Sequence, residues 1–481
     1  MKKLFVYLLL VISLASCRQE SALINVSGTI DEVSPLAATM EGVVLPPDIA
    51  PLNFMLPAED GQEGVTVRCG DRHLSAIVKQ GAATPALSDW QELLAGSEGQ
   101  TLTVSHCVRR EGRWLACQPF EMQVAKEPID SFLTYRLIPP GYEKWFDMSI
   151  RQRNLTNYDE RVIAANAGTD RNCMNCHSFC AGDASRMTMH VRGKHGGTLL
   201  VHEGKATMFD PRSLAPGRSF VYPYWHPSGR YIAYSMNDTK QLFHTHDANR
   251  IEVMDLASDI VVYDIGRGEA LTTPLLTDTM RYETFPCFSP DGRWLYFCSA
   301  DRRQMPDEYA QVRYDLCRIA FDATTGTFGD QVETVLPAAS DGYSASLPRI
   351  SPDGRWLIYT HSQYGQFMIW HQDADLWRVD LAATDTLDRR PLTLANAPGA
   401  SDSYHTWSSN SRWVVFSSRR DDGLYTRPYI AYIDSAGVAH RPFRLPQQEG
   451  DFYDRLMYSY NVPELSRSAV TTDLHETILN H

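Results

Sequence analysis

Phe288-Ser289-Pro290-Asp291-Gly292-Arg293-Trp294-Leu295-Tyr296-Phe297-Cys298-Ser299 is the stretch that decides the fold, because the chain writes it again. Ile350-Ser351-Pro352-Asp353-Gly354-Arg355-Trp356-Leu357-Ile358-Tyr359-Thr360 is a close copy. Trp225-His226-Pro227-Ser228-Gly229-Arg230-Tyr231-Ile232-Ala233-Tyr234-Ser235 and Trp407-Ser408-Ser409-Asn410-Ser411-Arg412-Trp413-Val414-Val415-Phe416-Ser417 are looser ones. Proline presets φ at the first turn position and Asp-Gly supplies the reversal, so each unit opens on a tight turn. The aromatic and aliphatic run after it suits a buried strand. A second strand signal follows each turn, as in Ile260-Val261-Val262-Tyr263-Asp264 and Leu376-Trp377-Arg378-Val379-Asp380. A period of roughly 60 residues with this content predicts one four-stranded blade per repeat.

The Ser-Pro-Asp-Gly-Arg units resemble the repeats of TolB-like β-propellers. The resemblance implies a mainly β chain with a propeller over 196–470, six-bladed as is usual in that family. Only four units are plain; 198–209 and 443–470 are left to supply degenerate strands. The first unit has His226 and Ser228 where the family has Ser and Asp, and the fourth lacks Pro and Gly.

The preceding chain reads differently. Short alternating runs such as Val65-Thr66-Val67-Arg68 and Thr101-Leu102-Thr103-Val104 predict a small all-β, sandwich-like domain over 18–130. Cys107 and Cys117 flank a hairpin turn at Arg110-Glu111-Gly112-Arg113, so a Cys107–Cys117 or Cys69–Cys107 disulfide is an open alternative. Residues 131–195 form a third part, broken by Pro139-Pro140-Gly141, and 471–481 a C-terminal tail.

That third part holds Cys173-Met174-Asn175-Cys176-His177. Two thiols at this spacing reach the two vinyl groups of one haem, and the adjacent histidine lies below the iron. The motif resembles the attachment site of c-type cytochromes. The resemblance implies one covalent haem c, with Cys173 and Cys176 as thioethers and His177 as proximal ligand. His190 or Met187 is then the candidate distal ligand, and Arg192 meets a propionate. Zinc held with Cys180, a redox dithiol and a structural disulfide are the rival readings. His244 and His246 form a further His-x-His pair, and His361, His371 and His405 sit near blade strands.

The start of the chain assigns a compartment. Lys2 and Lys3 precede the apolar run Leu4 to Leu14, the pattern of a signal peptide. Leu14-Ala15-Ser16-Cys17 resembles the lipobox of bacterial lipoproteins, which implies lipidation at Cys17 and cleavage of 1–17. The expected location is the cell envelope, periplasm-facing and tethered to a membrane, with the outer membrane favoured. A net charge of −13 without a basic block excludes nucleic acid as a partner.

Together these readings describe an exported, lipid-anchored c-type cytochrome that exchanges electrons with a partner protein docked on the propeller. The alternative is a non-catalytic TolB-like scaffold for proteins or glycans, followed by a periplasmic haem redox enzyme. An electron carrier is favoured over a turnover enzyme. The sequence has no Gly-x-Ser-x-Gly, phosphate-binding Gly loop or His-Glu-x-x-His motif. Little chain follows the propeller, and a prolyl-oligopeptidase-like enzyme is accordingly set aside.

Overall fold

The computed structural model describes residues 23–139, 147–215, 218–383 and 387–481. The described residues are almost entirely β, divided among one nine-stranded sheet and six separate four-stranded sheets. In each four-stranded sheet one strand faces a common axis. These inner strands are Ser459–Ser466, Met174–Cys180, Val221–Trp225, Arg281–Phe288, Ser344–Ile350 and Asp402–Trp407, in sheets one to six. Each touches the next, and the sixth touches the first, so the sheets close a ring with propeller topology. The closure is non-covalent. Strand Ser459–Ser466, from the end of the chain, pairs antiparallel with Phe132–Ile138 to complete sheet one.

One local irregularity recurs in all six sheets. On every inner strand three residue steps oppose two on its neighbour, and the first residue inside the step has positive φ. The shifts fall between Asn175 and Ser178, Val221 and Tyr224, Thr284 and Cys287, Ser346 and Arg349, and Ser403 and Thr406. The sixth, on Ser459–Ser466, lies between Asn461 and Glu464. The left-handed residues are Cys176, Tyr222, Phe285, Leu347, Tyr404 and Val462, with φ between 47° and 55°. A β-bulge bends its strand and sharpens the twist, which turns the inner end of each sheet around the axis. Proline follows the left-handed residue in four strands, at Pro223, Pro286, Pro348 and Pro463; His177 and His405 take its place in the other two.

These observations correct the expected fold. No separate haem-binding segment precedes the ring. Residues 132–165 build three strands of sheet one and residues 174–209 build sheet two. The ring therefore begins more than sixty residues before the expected start at 196. It was hidden because sheet two replaces the Ser-Pro-Asp-Gly turn by Cys180-Ala181-Gly182-Asp183. There Ala181 and Gly182 both have positive φ, as a two-residue hairpin turn requires. The TolB-like identification rested on that turn and does not extend to it.

The N-terminal unit is also not a sandwich. It is a single sheet with two parallel pairs, Val26–Val33 against Arg113–Gln118 and Val44–Leu45 against Phe120–Val124. Helix Leu87–Leu94 packs on it through Trp90, whose indole donates to the Ile49 carbonyl at 3.0 Å. The second layer comes from the ring. Val65, Val67, Leu102 and Phe120 share one continuous core with Leu133, Tyr135, Trp413, Phe443 and Tyr460 of sheets one and six. Asp130 pins the junction by accepting from the Ser409 backbone N–H and hydroxyl at 2.7 and 2.6 Å. The tail is ordered too, since helix His475–Leu479 buries Ile478 in the core of sheet two. Cys69, Cys107 and Cys117 are free thiols, so neither anticipated disulfide forms.

Candidate functional site: the axial cavity

A cavity of about 380 Å³ lies on the ring axis, and all six inner strands line it. The six left-handed bulge residues form one layer of its wall. With the residue before the left-handed one as the first position of each bulge and the left-handed one as the second, the fifth forms another, with Phe179, Trp225, Phe288, Ile350, Trp407 and Leu465. Pro227, Pro290, Pro352, Ser409 and Arg467, from the turns at one end, surround the mouth. Towards the other end Tyr222, Phe285, Leu347 and Tyr404 merge into an apolar cluster with Phe367 and Trp370.

The long hairpin of Tyr231–Phe243 and Ile251–Asp264 braces that far end. Its Asp255 accepts from Tyr314 at 3.0 Å, and Glu252 accepts from Tyr364 at 2.7 Å. The hydrogen bonds continue from Glu252 to His371 at 2.9 Å, to Ser362 at 3.0 Å and to Asp373 at 3.1 Å. A serine, histidine and acid in line resemble a hydrolytic relay, but Ser362 does not line the axial cavity. Its hydroxyl lies within hydrogen-bond distance of both His371 Nδ1 and the Asp373 carboxylate. Ser362 is also fully buried. This network holds the hairpin.

Between the cavity's apolar layers lies the fourth bulge position, which carries the charge. Arg349 reaches across the axis from sheet five, its guanidinium 5.1 Å from the centre of the Tyr224 ring in sheet three. Its Nη1 donates to the Pro348 carbonyl at 2.8 Å. Glu464, from sheet one, is fixed through Oε1, which accepts from the Phe179 N–H at 2.7 Å and the Ser178 hydroxyl at 3.3 Å. Burial pushes its carboxyl up to about 7, against the pull of the Phe179 bond and of Arg349. Among the described residues neither Arg349 nor Glu464 forms an ion pair within 4.0 Å. The cavity thus offers a cation and an anion, each anchored on one side, between aromatic walls.

Of the expected haem residues, this geometry brings only Cys176 and His177 to the cavity. Cys173 lies outside the lining, its sulfur 4.0 Å from Arg136 Nη1. His177 points its Nε2, the atom an iron would need, at the Thr134 carbonyl of sheet one, 3.4 Å away. His405 makes the same bond to Ile358 of sheet five at 3.0 Å. Thr134 and Ile358 occupy matching places, paired with Glu464 and Arg349. Both histidines therefore act as pins between neighbouring sheets. Burial keeps them neutral, pushing His177 down to about 4 and His405 to about 3. Met187 is core within sheet two. His190 pairs with Asn175 and Thr198 on the opposite face, its ring nitrogens buried without partners. Arg192 is exposed. Two thiols, a proximal ligand and a distal ligand do not face one space. Among the described residues, no three or more His, Cys, Asp or Glu side chains gather as a metal site. Cys17 lies outside the described residues.

Arg349, Glu464 and Tyr224 escaped the sequence reading. The signal was present in the alternation Tyr222-Pro223-Tyr224-Trp225, Leu347-Pro348-Arg349-Ile350 and Val462-Pro463-Glu464-Leu465, which precedes the turn rather than containing it.

Fold and site together define a closed ring of β-sheets with an axial, amphoteric cavity of small-ligand size. Comparison with known proteins gives the following likenesses. No family model matches. Dipeptidyl-peptidase 5 of Porphyromonas endodontalis is 37% identical over 76 residues, which is 16% of this chain and 10% of that protein. Among solved structures, prolyl oligopeptidase B of Galerina marginata bound to a 35-residue hydrolysis and macrocyclization substrate is 11% identical, with 71% of this chain and 42% of that one covered and a TM-score of 0.37. Dipeptidyl peptidase 4 of Porphyromonas gingivalis is 9% identical, over 73% and 52%, with a TM-score of 0.32. The chain spans a tenth of the curated relative and about half or less of the two solved peptidases.

These findings correct the functional reading. The curated protein that matches part of this chain is named as a dipeptidyl-peptidase, whereas no protein named above is a cytochrome. The c-type cytochrome, its haem c and the electron-transfer role fall with the placement of Cys173, His177, His190 and Met187. The TolB-like scaffold falls with the resemblance that suggested it.

Proposed function

We propose that the axial cavity binds short peptides. The observation that carries this reading is the unpaired Arg349 and Glu464 side chains facing one aromatic-walled cavity of about 380 Å³. That volume is within the range of small-molecule sites, and such sites combine apolar walls with a few fixed polar groups. Peptide groups need both: hydrogen-bonding charge for their ends and aromatic surface for their side chains. The curated relative, named for dipeptidyl-peptidase activity, supports the choice of ligand class.

Isothermal titration of the mature protein with defined di- and tripeptides tests the reading. Ligands of about 15–25 heavy atoms at ~0.3 kcal/mol per atom give a Kd of roughly 1 µM to 1 mM. Arg349→Met and Glu464→Gln should each weaken binding at least tenfold. Absence of heat at 10-fold above that upper limit rejects the reading.

The chain is further proposed to be tethered in the cell envelope through a lipid on Cys17. The charged n-region, the apolar run and Leu14-Ala15-Ser16-Cys17 support this. Among the described residues no helix is long and apolar enough to cross a membrane. Metabolic labelling with a fatty acid, lost in Cys17→Ser, is the test.

A further inference from the structure

The far end of the cavity is lined by packed aromatic side chains. Its far wall is the ring of bulge residues, where Tyr222 and Phe285 stand with ring centres 4.3 Å apart. Behind that wall the hairpin is held by Glu252 and Asp255. The two charges sit in the one layer between floor and mouth, and come from sheets five and one with sheet six between them. Glu464 Oε1 is held by a backbone N–H and a hydroxyl on the Phe179 side. Arg349 is held over Tyr224, which fixes its plane and leaves most of its donors uncommitted. Opposite charges that are anchored separately and do not meet each other suit a ligand with opposite charges at its own two ends.

We propose, resting on the peptide-binding reading, that the cavity selects free di- and tripeptides by both termini: Arg349 takes the terminal carboxylate and Glu464 the terminal ammonium. Internal segments of longer chains are excluded because they bring neither charge to that layer. A guanidinium fork matches a carboxylate by two parallel bonds, and this makes arginine the carboxylate end. A carboxylate whose other oxygen is already satisfied accepts an ammonium without further rearrangement.

The test is a titration of one tripeptide in four forms: free, N-acetylated, C-amidated and doubly capped. Wild type, Arg349→Met and Glu464→Gln are compared, and thermal melts check that each variant is folded. Arg349→Lys keeps the charge and should recover part of the affinity without the fork. The expected result is a tenfold or greater loss for either cap in the wild type. The amide penalty should vanish in Arg349→Met, and the acetyl penalty in Glu464→Gln. If the capped forms bind within threefold of the free peptide, two-ended selection is overturned while peptide binding stands. A penalty from one cap alone overturns it equally. If no form binds, the peptide reading itself is wrong.

Discussion

Replacing His177 by proline should leave the ring folded, although the position lies in the most conspicuous motif of the sequence. In four sheets the equivalent residue is already proline, at Pro223, Pro286, Pro348 and Pro463. The residues before them have φ of 49°, 50°, 53° and 51°, against 55° at Cys176, so the local backbone is one that accepts X-Pro in this fold. The losses are modest. The bond from Nε2 to the Thr134 carbonyl is long at 3.4 Å, worth about 0.5–1 kcal/mol, and removing the imidazole from its edge contact with Phe179 costs about 1–2 kcal/mol. Restricting the unfolded chain returns about 0.4–1 kcal/mol. The net change is a loss of about 1–2 kcal/mol. Phe179→Pro, two residues on, is the control. It deletes the N–H that holds Glu464 and a buried aromatic side chain, for a cost of about 5 kcal/mol or more. Urea denaturation followed by far-UV circular dichroism and tryptophan fluorescence separates the two. A His177→Pro protein as unstable as Phe179→Pro would refute the equivalence of the six bulges.

Three further outcomes follow from the charges. Burial raises Glu464, so between its ordinary value of 4.5 and about 7 the folded chain holds a proton that the unfolded chain releases, and stability falls as pH rises through that window. Glu464→Gln should flatten that slope and stabilise the protein above pH 7 by about 1–3 kcal/mol, read from urea midpoints between pH 4 and 8. Asp264 is the opposite case. Burial pushes it up, but Arg230 at 2.7 Å and the N–H groups of Arg267 and Gly266 outweigh that and hold it below the usual carboxylate value. Its contribution is present above pH 3.8 and lost as pH falls further; Asp264→Asn should cost about 1–3 kcal/mol near neutrality and less at pH 2–3, measured by the same titration. Glu252→Ala removes the acceptor of His371 and Tyr364 at the far end. It should cost about 3 kcal/mol and raise amide exchange in the 237–255 hairpin, with the Phe132–Ile138 strand unchanged.

How much of this was legible in the sequence depends on which part of the repeat is read. The Ser-Pro-Asp-Gly turns are visible because Pro290, Gly292, Pro352 and Gly354 have backbone duties that few residues share. They revealed four units. Sheet two reverses with a two-residue turn instead, and sheet one takes its inner strand from the other end of the chain. Neither leaves a turn signal at the expected spacing. The N-terminal sheet was read as a complete sandwich because alternation records only that a strand has one buried face. It does not record that the covering layer is Trp413, Phe443 and Tyr460 from residues far along the chain. The Cys-x-x-Cys-His run misled for a related reason. Its spacing is informative when the chain around it is free to wrap a cofactor. On strand Met174–Cys180 the last two residues of that run, Cys176 and His177, are instead committed to the bulge that every inner strand needs.

The repeat then separates what the fold requires from what a ligand requires. At the second bulge position the wall is Cys176, Tyr222, Phe285, Leu347, Tyr404 and Val462; at the fifth it is Phe179, Trp225, Phe288, Ile350, Trp407 and Leu465. Both sets are apolar or aromatic throughout, as six sheets packed around one axis demand. At the fourth position the residues are Ser178, Tyr224, Cys287, Arg349, Thr406 and Glu464, and no two are alike. Five of these six line the cavity. A structural requirement imposed six times by near-symmetry should produce the same residue type six times. One position that varies fully, between two that do not, is under a constraint that lacks the symmetry of the ring. An asymmetric ligand on the axis supplies such a constraint. Arg349 and Glu464 are then the two places where the ligand's own polarity is written into the chain.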